Sequence, residues 1–121
     1  MAFRVLVVDD CSDLRDLVRQ RLTLDGFAVV GEAGDGEEGI AQAALLQPDL
    51  VLLDLSMPRM DGLTALPRIL RAAPAARVVV LSGLNGHGAA EQALEAGASR
   101  YIVKGTSLKQ LTQDLATVLN H

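Results

Sequence analysis

Five short apolar runs recur along the chain: Val5-Leu6-Val7-Val8, Phe27-Ala28-Val29-Val30, Leu50-Val51-Leu52-Leu53, Val78-Val79-Val80-Leu81 and Tyr101-Ile102-Val103. Four of the five lack the polar alternation that a strand with one wet face requires. Uninterrupted runs suit parallel strands covered by helices on both faces.

The stretches between the runs read as helices. Ser12 or Asp13 is positioned to cap the first, with Leu14, Leu17, Val18 and Leu22 on one face and Asp25-Gly26 as its stop. Asp35 and Glu38 form a capping-box pattern for the second, and Pro48 lies beyond its end. Thr64 is expected to open the third, which puts Pro67 in the first turn, where it removes no hydrogen bond. The fourth is expected from His87 to Ala96, ending at Gly97. Ser107 and Gln110 pattern a second capping box, and Leu108, Leu111, Leu115, Val118 and Leu119 form the inner stripe of the fifth helix. Five strand–helix units in strict alternation predict an α/β fold, a doubly wound (βα)5 parallel sheet with right-handed crossovers. At 121 residues, the chain reads as one domain, residues 1–121.

In such a sheet the ligand crevice lies at the carboxyl ends of the strands. The first run ends in Asp9-Asp10, the third in Asp54, the fourth in Ser82 and the fifth in Lys104. With the strands ordered 2-1-3-4-5, the first and third are neighbours, and three carboxylates converge. Like charges at close range repel, and a hard divalent cation with oxygen ligands relieves them; two carboxylates plus waters suit Mg²⁺. An ammonium and a hydroxyl beside them complete a site suited to a metal-bound phosphoryl group.

The ordered set Val-Val-Asp9-Asp10, Asp54-Leu-Ser56-Met-Pro58-Arg-Met-Asp61-Gly62, Leu81-Ser82-Gly83 and Tyr101-Ile-Val-Lys104 resembles the receiver domain of the two-component response-regulator family. The resemblance implies a flavodoxin-like receiver fold and a phosphoacceptor at Asp54, charged by a sensor histidine kinase or phosphotransfer protein. It implies Mg²⁺ held directly by Asp10 and Asp54, by Asp9 through water, and by the backbone carbonyl of Ser56. Lys104 and Ser82 would meet the phosphoryl oxygens. Ser82 and Tyr101 would form a switch that reshapes the face of helix four, strand five and helix five, with pairing of two copies on phosphorylation. Such a domain is not a conventional enzyme; it catalyses its own phosphorylation and dephosphorylation. Ser56 and Leu84 occupy positions that tune dephosphorylation in the family, and Gly83, Gly86 and Gly88 around Asn85 suit a mobile switch loop. Many receivers carry Lys-Pro at strand five, whereas Gly105 follows Lys104 here. That departure resembles receivers joined to a C-terminal helix-turn-helix domain, so the N-terminal part of a DNA-binding transcriptional regulator is expected; the alternative is a stand-alone receiver acting through protein contacts.

Other readings fare worse. Eleven Lys plus Arg against fifteen Asp plus Glu leave a net charge of −4, which argues against direct nucleic-acid contact. Phe3, Phe27 and Tyr101 offer too little ring surface for a flavin sandwich. An aspartate-nucleophile phosphatase would need Asp-x-Asp on the first strand, and Asp9-Asp10-Cys11-Ser12 does not supply it. Gly34-Asp35-Gly36-Glu37-Glu38-Gly39 fits the dinucleotide fingerprint, but it follows the second strand, and its three acids would repel a pyrophosphate. Asp61-Gly62 reads as turn chemistry. Cys11 precludes an internal disulfide, and the adjacent acids disfavour a thiolate. His87 and His121 lack metal-ligand spacing. The first apolar run is too short for a signal peptide and no segment approaches a membrane span, so a cytoplasmic protein without membrane contact is expected.

Overall fold

A computed structural model describes residues 2–83 and 88–120. The expectations for Leu84, Asn85, Gly86, His87 and His121 lie outside the described residues. Among the described residues, strands β1 (Arg4–Val8), β2 (Ala28–Ala33), β3 (Leu50–Leu53), β4 (Arg77–Ser82) and β5 (Arg100–Val103) form one parallel sheet. Its order is β2-β1-β3-β4-β5, as the alternation of elements and the proposed ordering require. Helices α1 (Ser12–Leu24), α2 (Gly36–Leu46), α3 (Gly62–Ala72), α4 (Ala89–Glu95) and α5 (Leu108–Leu119) connect and cover it. No helix among the described residues is long and apolar enough to cross a membrane.

The uninterrupted apolar runs now have their cause. Alternate residues of each central strand feed two separate cores. Leu6, Val8, Val51, Leu53, Val78 and Val80 face Ala43, Ala65, Leu66, Ile69 and Ala93 of α2, α3 and α4. Val5, Val7, Leu50, Leu52 and Val79 face Val18, Leu22, Leu111, Leu115 and Val118 of α1 and α5. Each buried Val, Leu or Ile among them contributes about 1.5–3 kcal/mol on leaving water. The edge strand β2 is the exception: most of it is half-buried, and its register with β1 slips between Val5 and Leu6.

Four local expectations are corrected, for the cap of α1, the phase of Leu17, the opening of α3 with Pro67, and the start of α4. Neither Ser12 nor Asp13 caps α1; Cys11 holds the cap position, and the Asp9 carboxylate accepts the Cys11 N–H at 2.9 Å. Leu17 is 53% exposed, because the inward stripe runs through Val18 and Leu22 at helical spacing and leaves Leu17 on the outer face. α3 opens at Gly62, because Asp61 accepts the Thr64 N–H at 2.7 Å and outcompetes Thr64 as the cap. Pro67 therefore lies inside the helix and does remove a bond, the one its position would donate to Leu63. α4 starts at Ala89, behind Gly88 in the left-handed region. The second and fifth helices open as expected, with Asp35 accepting from Glu38 N–H and Ser107 from Gln110 N–H.

Gly62 shows why α3 begins where it does. A Cβ there would stand 2.1 Å from the Asp54 carbonyl oxygen and 2.7 Å from Leu55 Cα, both backbone atoms. Only glycine lets the helix start pass this close beneath the end of β3. We expect Gly62→Ala to destabilise the fold by about 1–3 kcal/mol through backbone displacement, read as a lower urea midpoint; an unchanged midpoint would mean the approach is not tight.

Candidate functional site

The site is built by continuing the sheet's hydrogen bonds one residue past each strand end. Asp9 N–H donates to Ala33 O at 3.0 Å, Asp54 N–H to Val8 O at 2.9 Å, and Lys104 N–H to Ser82 O at 2.8 Å. The registers Val8↔Leu53 and Ser82↔Val103 then bring these side chains to one edge. Asp9, Asp10 and Asp54 each offer an oxygen within 4.8 Å of the others. Lys104 Nζ donates to Asp9 Oδ2 at 3.0 Å and to Asp54 Oδ2 at 3.4 Å. Asp9 and Asp54 are buried, whereas Asp10 and Ser56 are exposed, so the pocket is open to water on one side. The Ser56 N–H donates to Asp54 Oδ1 at 3.3 Å.

Ser82 is fully buried at the end of β4, the strand between those that lead into Asp54 and Lys104. Tyr101 is half-buried in β5, opposite Val80, and packs against the core beneath α3 and α4. Gly105 takes φ +104°, a conformation that proline cannot adopt, and turns the chain from Lys104 into a bridge with Thr106. Asp61 serves as a helix cap, the turn chemistry expected of it.

Two arginines near the site were not legible in sequence. Arg15 donates from Nη1 to the Asp9 carbonyl and from Nε to Glu32 Oε1 at 3.2 Å, tying α1 to the ends of β1 and β2. Arg59 reaches Asp35 at 3.0 Å. Their acidic partners, Glu32 and Asp35, come from other units of the chain, and no local pattern marks such pairs.

Burial is the first reason that the Asp54 carboxyl is pushed above the ordinary carboxylate range, and the negative charge of Asp9 is the second. Lys104 and the Ser56 N–H pull it down without cancelling the rise. For Lys104, burial acts to lower the pKa and is the largest single effect. Its hydrogen bonds and charge contacts with Asp9 and Asp54 together outweigh it and raise the ammonium above the usual lysine value. Three carboxylates against one ammonium leave an excess of negative charge. The donor set is all oxygen, acidic and partly open to water, and so fits a hard divalent cation such as Mg²⁺.

Comparison with known proteins groups this chain with others that carry the same fold. Residues 5–116 match the family model described as the response regulator receiver domain. The chemotaxis protein CheY of Treponema pallidum is 40% identical over 119 residues, covering 97% of this chain and 83% of that protein. The response regulator GacA of Pseudomonas viridiflava is 40% identical over 120 residues, covering 95% of this chain but 54% of that protein. The crystal structure of the CheX-CheY-BeF3-Mg²⁺ complex from Borrelia burgdorferi contains a chain that superposes with a TM-score of 0.91 at 34% identity. That match covers 96% of this chain and 88% of that one.

The raised Asp54 pKa has a consequence for stability. Between the ordinary value of 3.8 and the raised one, the folded chain holds more proton than the unfolded chain. The contribution is therefore fully present below the unfolded pKa and is lost as pH rises through the folded one. In the absence of divalent cations, Asp54→Asn should melt at a higher temperature than the parent near neutral pH. The gain should vanish below about pH 3, where the parent's carboxyl is protonated in both states. Thermal melts across that range check this; a variant melting at or below the parent at neutral pH would contradict it.

Proposed function

The chain belongs to the response regulator receiver family, and on that premise we propose that Asp54 accepts a phosphoryl group from a phosphohistidine on a sensor histidine kinase or phosphotransfer protein. The observation that carries this reading is the cluster itself: three carboxylates within 4.8 Å, with Lys104 bonded to two of them. No role in capping or solubility accounts for a lysine drawn across two buried acids.

In the proposed step, an Asp54 carboxylate oxygen forms the new P–O bond as the P–N bond of the phosphohistidine breaks. The electron pair leaves with the imidazole, which takes its proton from water. Lys104 moves from its present partners onto a phosphoryl oxygen and offsets the negative charge that gathers there. Asp10, Asp54 and the Ser56 carbonyl would hold Mg²⁺, with Asp9 acting through water. When bound, the ion neutralises charge on the phosphoryl oxygens and orients them for in-line transfer. Asp9 also fixes the turn into α1 through the Cys11 N–H, which keeps Asp10 at the pocket mouth. The same pocket admits water to the acyl phosphate, so the domain would also promote its own dephosphorylation.

Phosphorylation replaces one carboxylate with a group of nearly −2 charge and three acceptor oxygens. Ser82 would turn its hydroxyl toward that group, and Tyr101, on the neighbouring strand, would follow inward. The β5 surface between α4 and α5 changes shape as a result, and two copies could pair through it. Gly105 after Lys104 supports an output through an appended DNA-binding domain. The good coverage of the CheY relative supports the alternative, a receiver acting alone. The reading frame beyond codon 121 separates the two: a helix-turn-helix continuation or a stop.

Phosphoramidate with Mg²⁺ should add one phosphoryl group, seen by intact mass and absent in Asp54→Ala. An adduct that persists in the variant would put the nucleophile elsewhere. Lys104→Ala should still be labelled but should leave the amide spectrum of the β5 face unchanged on labelling, unlike the parent. Equal shifts in both proteins would refute a switching role for Lys104.

A further inference from the structure

In the motif Gly34-Asp35-Gly36-Glu37-Glu38-Gly39, Gly36 and Gly39 are seats for the segments that carry the acid pocket. A Cβ on Gly39 would stand 3.0 Å from Val8, the residue before Asp9. A Cβ on Gly36 would stand 2.9 Å from the Met60 carbonyl oxygen and 3.0 Å from Met60 Cβ, in the loop between β3 and α3. That loop also holds Arg59 at φ +66°, in the left-handed region that favours glycine. The Met60 N–H donates to the Pro58 carbonyl at 2.8 Å and closes a three-residue turn around Arg59. A turn of this kind with positive φ at a non-glycine residue is rare and strained. It persists only where surrounding contacts hold it.

The holding contact is visible. Asp35 is buried, and its Oδ1 is fixed by the Glu38 N–H at 2.9 Å, at the start of α2. Its Oδ2 accepts from Arg59 Nη1 at 3.0 Å. One end of the ion pair is therefore anchored in the fold, and the other sits on the strained turn. The same loop contains Ser56, whose N–H bonds the Asp54 carboxylate. We infer that the Asp35–Arg59 pair is a latch that holds the loop between β3 and α3 in register with Asp54 and so sets the pocket's affinity for a divalent cation. Both are positioning residues; neither touches the cation. This rests on the reading of the acid cluster as a cation site.

The test is calorimetric titration of the intact chain with MgCl₂. Asparagine caps helices about as well as aspartate, so Asp35→Asn keeps the start of α2 and removes only the charge. The Arg59 side chain is 74% exposed, which limits the expected effect to that of a partly exposed pair. Asp35→Asn and Arg59→Ala should each weaken Mg²⁺ binding about three- to fivefold. The double variant should be no weaker than either single one, and Arg59→Lys, which keeps the charge, should stay within about twofold of the parent. Single variants that bind like the parent, losses that add in the double variant, or no rescue by lysine would each overturn the latch. A parent chain that binds no Mg²⁺ would instead overturn the cation site itself, and the latch with it.

Discussion

Three carboxylates within 4.8 Å of one another repel, and the parallel sheet puts them there. Asp9 and Asp54 follow buried strands paired Val8 to Leu53, so neither can move away without breaking a ladder bond. Lys104 comes in from the far side of β4 and bonds both. One ammonium does not balance three acids, and burial together with Asp9 still holds the Asp54 proton more tightly than water would. The fold thus stores an unfavourable charge arrangement at its open edge, one that the proposed cation or phosphoryl group would reorganise.

The surrounding scaffold keeps that arrangement from relaxing. Gly62 brings the start of α3 against the Asp54 backbone, Gly39 brings α2 against the end of β1, and Gly36 brings it against the Met60 segment. Arg15 ties the Asp9 carbonyl to Glu32 on the neighbouring strand. The close approaches come from missing side chains and the ties from long cationic ones. The pocket is therefore preorganised by contacts outside the acid cluster itself. On the proposed reading its response would run on the other side, through buried Ser82 and half-buried Tyr101 toward the strand-five surface.

The sheet and its order were legible because both cores draw on alternate residues of the same runs, which removes polar alternation from the central strands. The gathering of Asp9, Asp10, Asp54 and Lys104 was legible because each follows an apolar run and strand ends meet at one edge. The opening of α3 was not: Asp61 and Thr64 are both good caps, and the choice is made by the contact of Gly62 with Asp54, which no local window contains. Leu17 was assigned to the core because apolar character alone does not give helix phase; Val18 and Leu22 set it. Arg15 and Arg59 escaped notice because their acidic partners lie 17 and 24 residues away. The packing role of Gly36 and Gly39 needed coordinates, because the segments they seat lie far from them in sequence.

On the proposed reading, the groups at positions 10, 54 and 104 answer together to a cation. Amide NMR of the isotope-labelled chain during addition of magnesium is the test. Saturable shifts are expected, with one common midpoint, concentrated at residues 9–11, 54–57 and 104–105. Shifts that never saturate, or that gather on other acidic parts of the surface while these amides stay still, would contradict it.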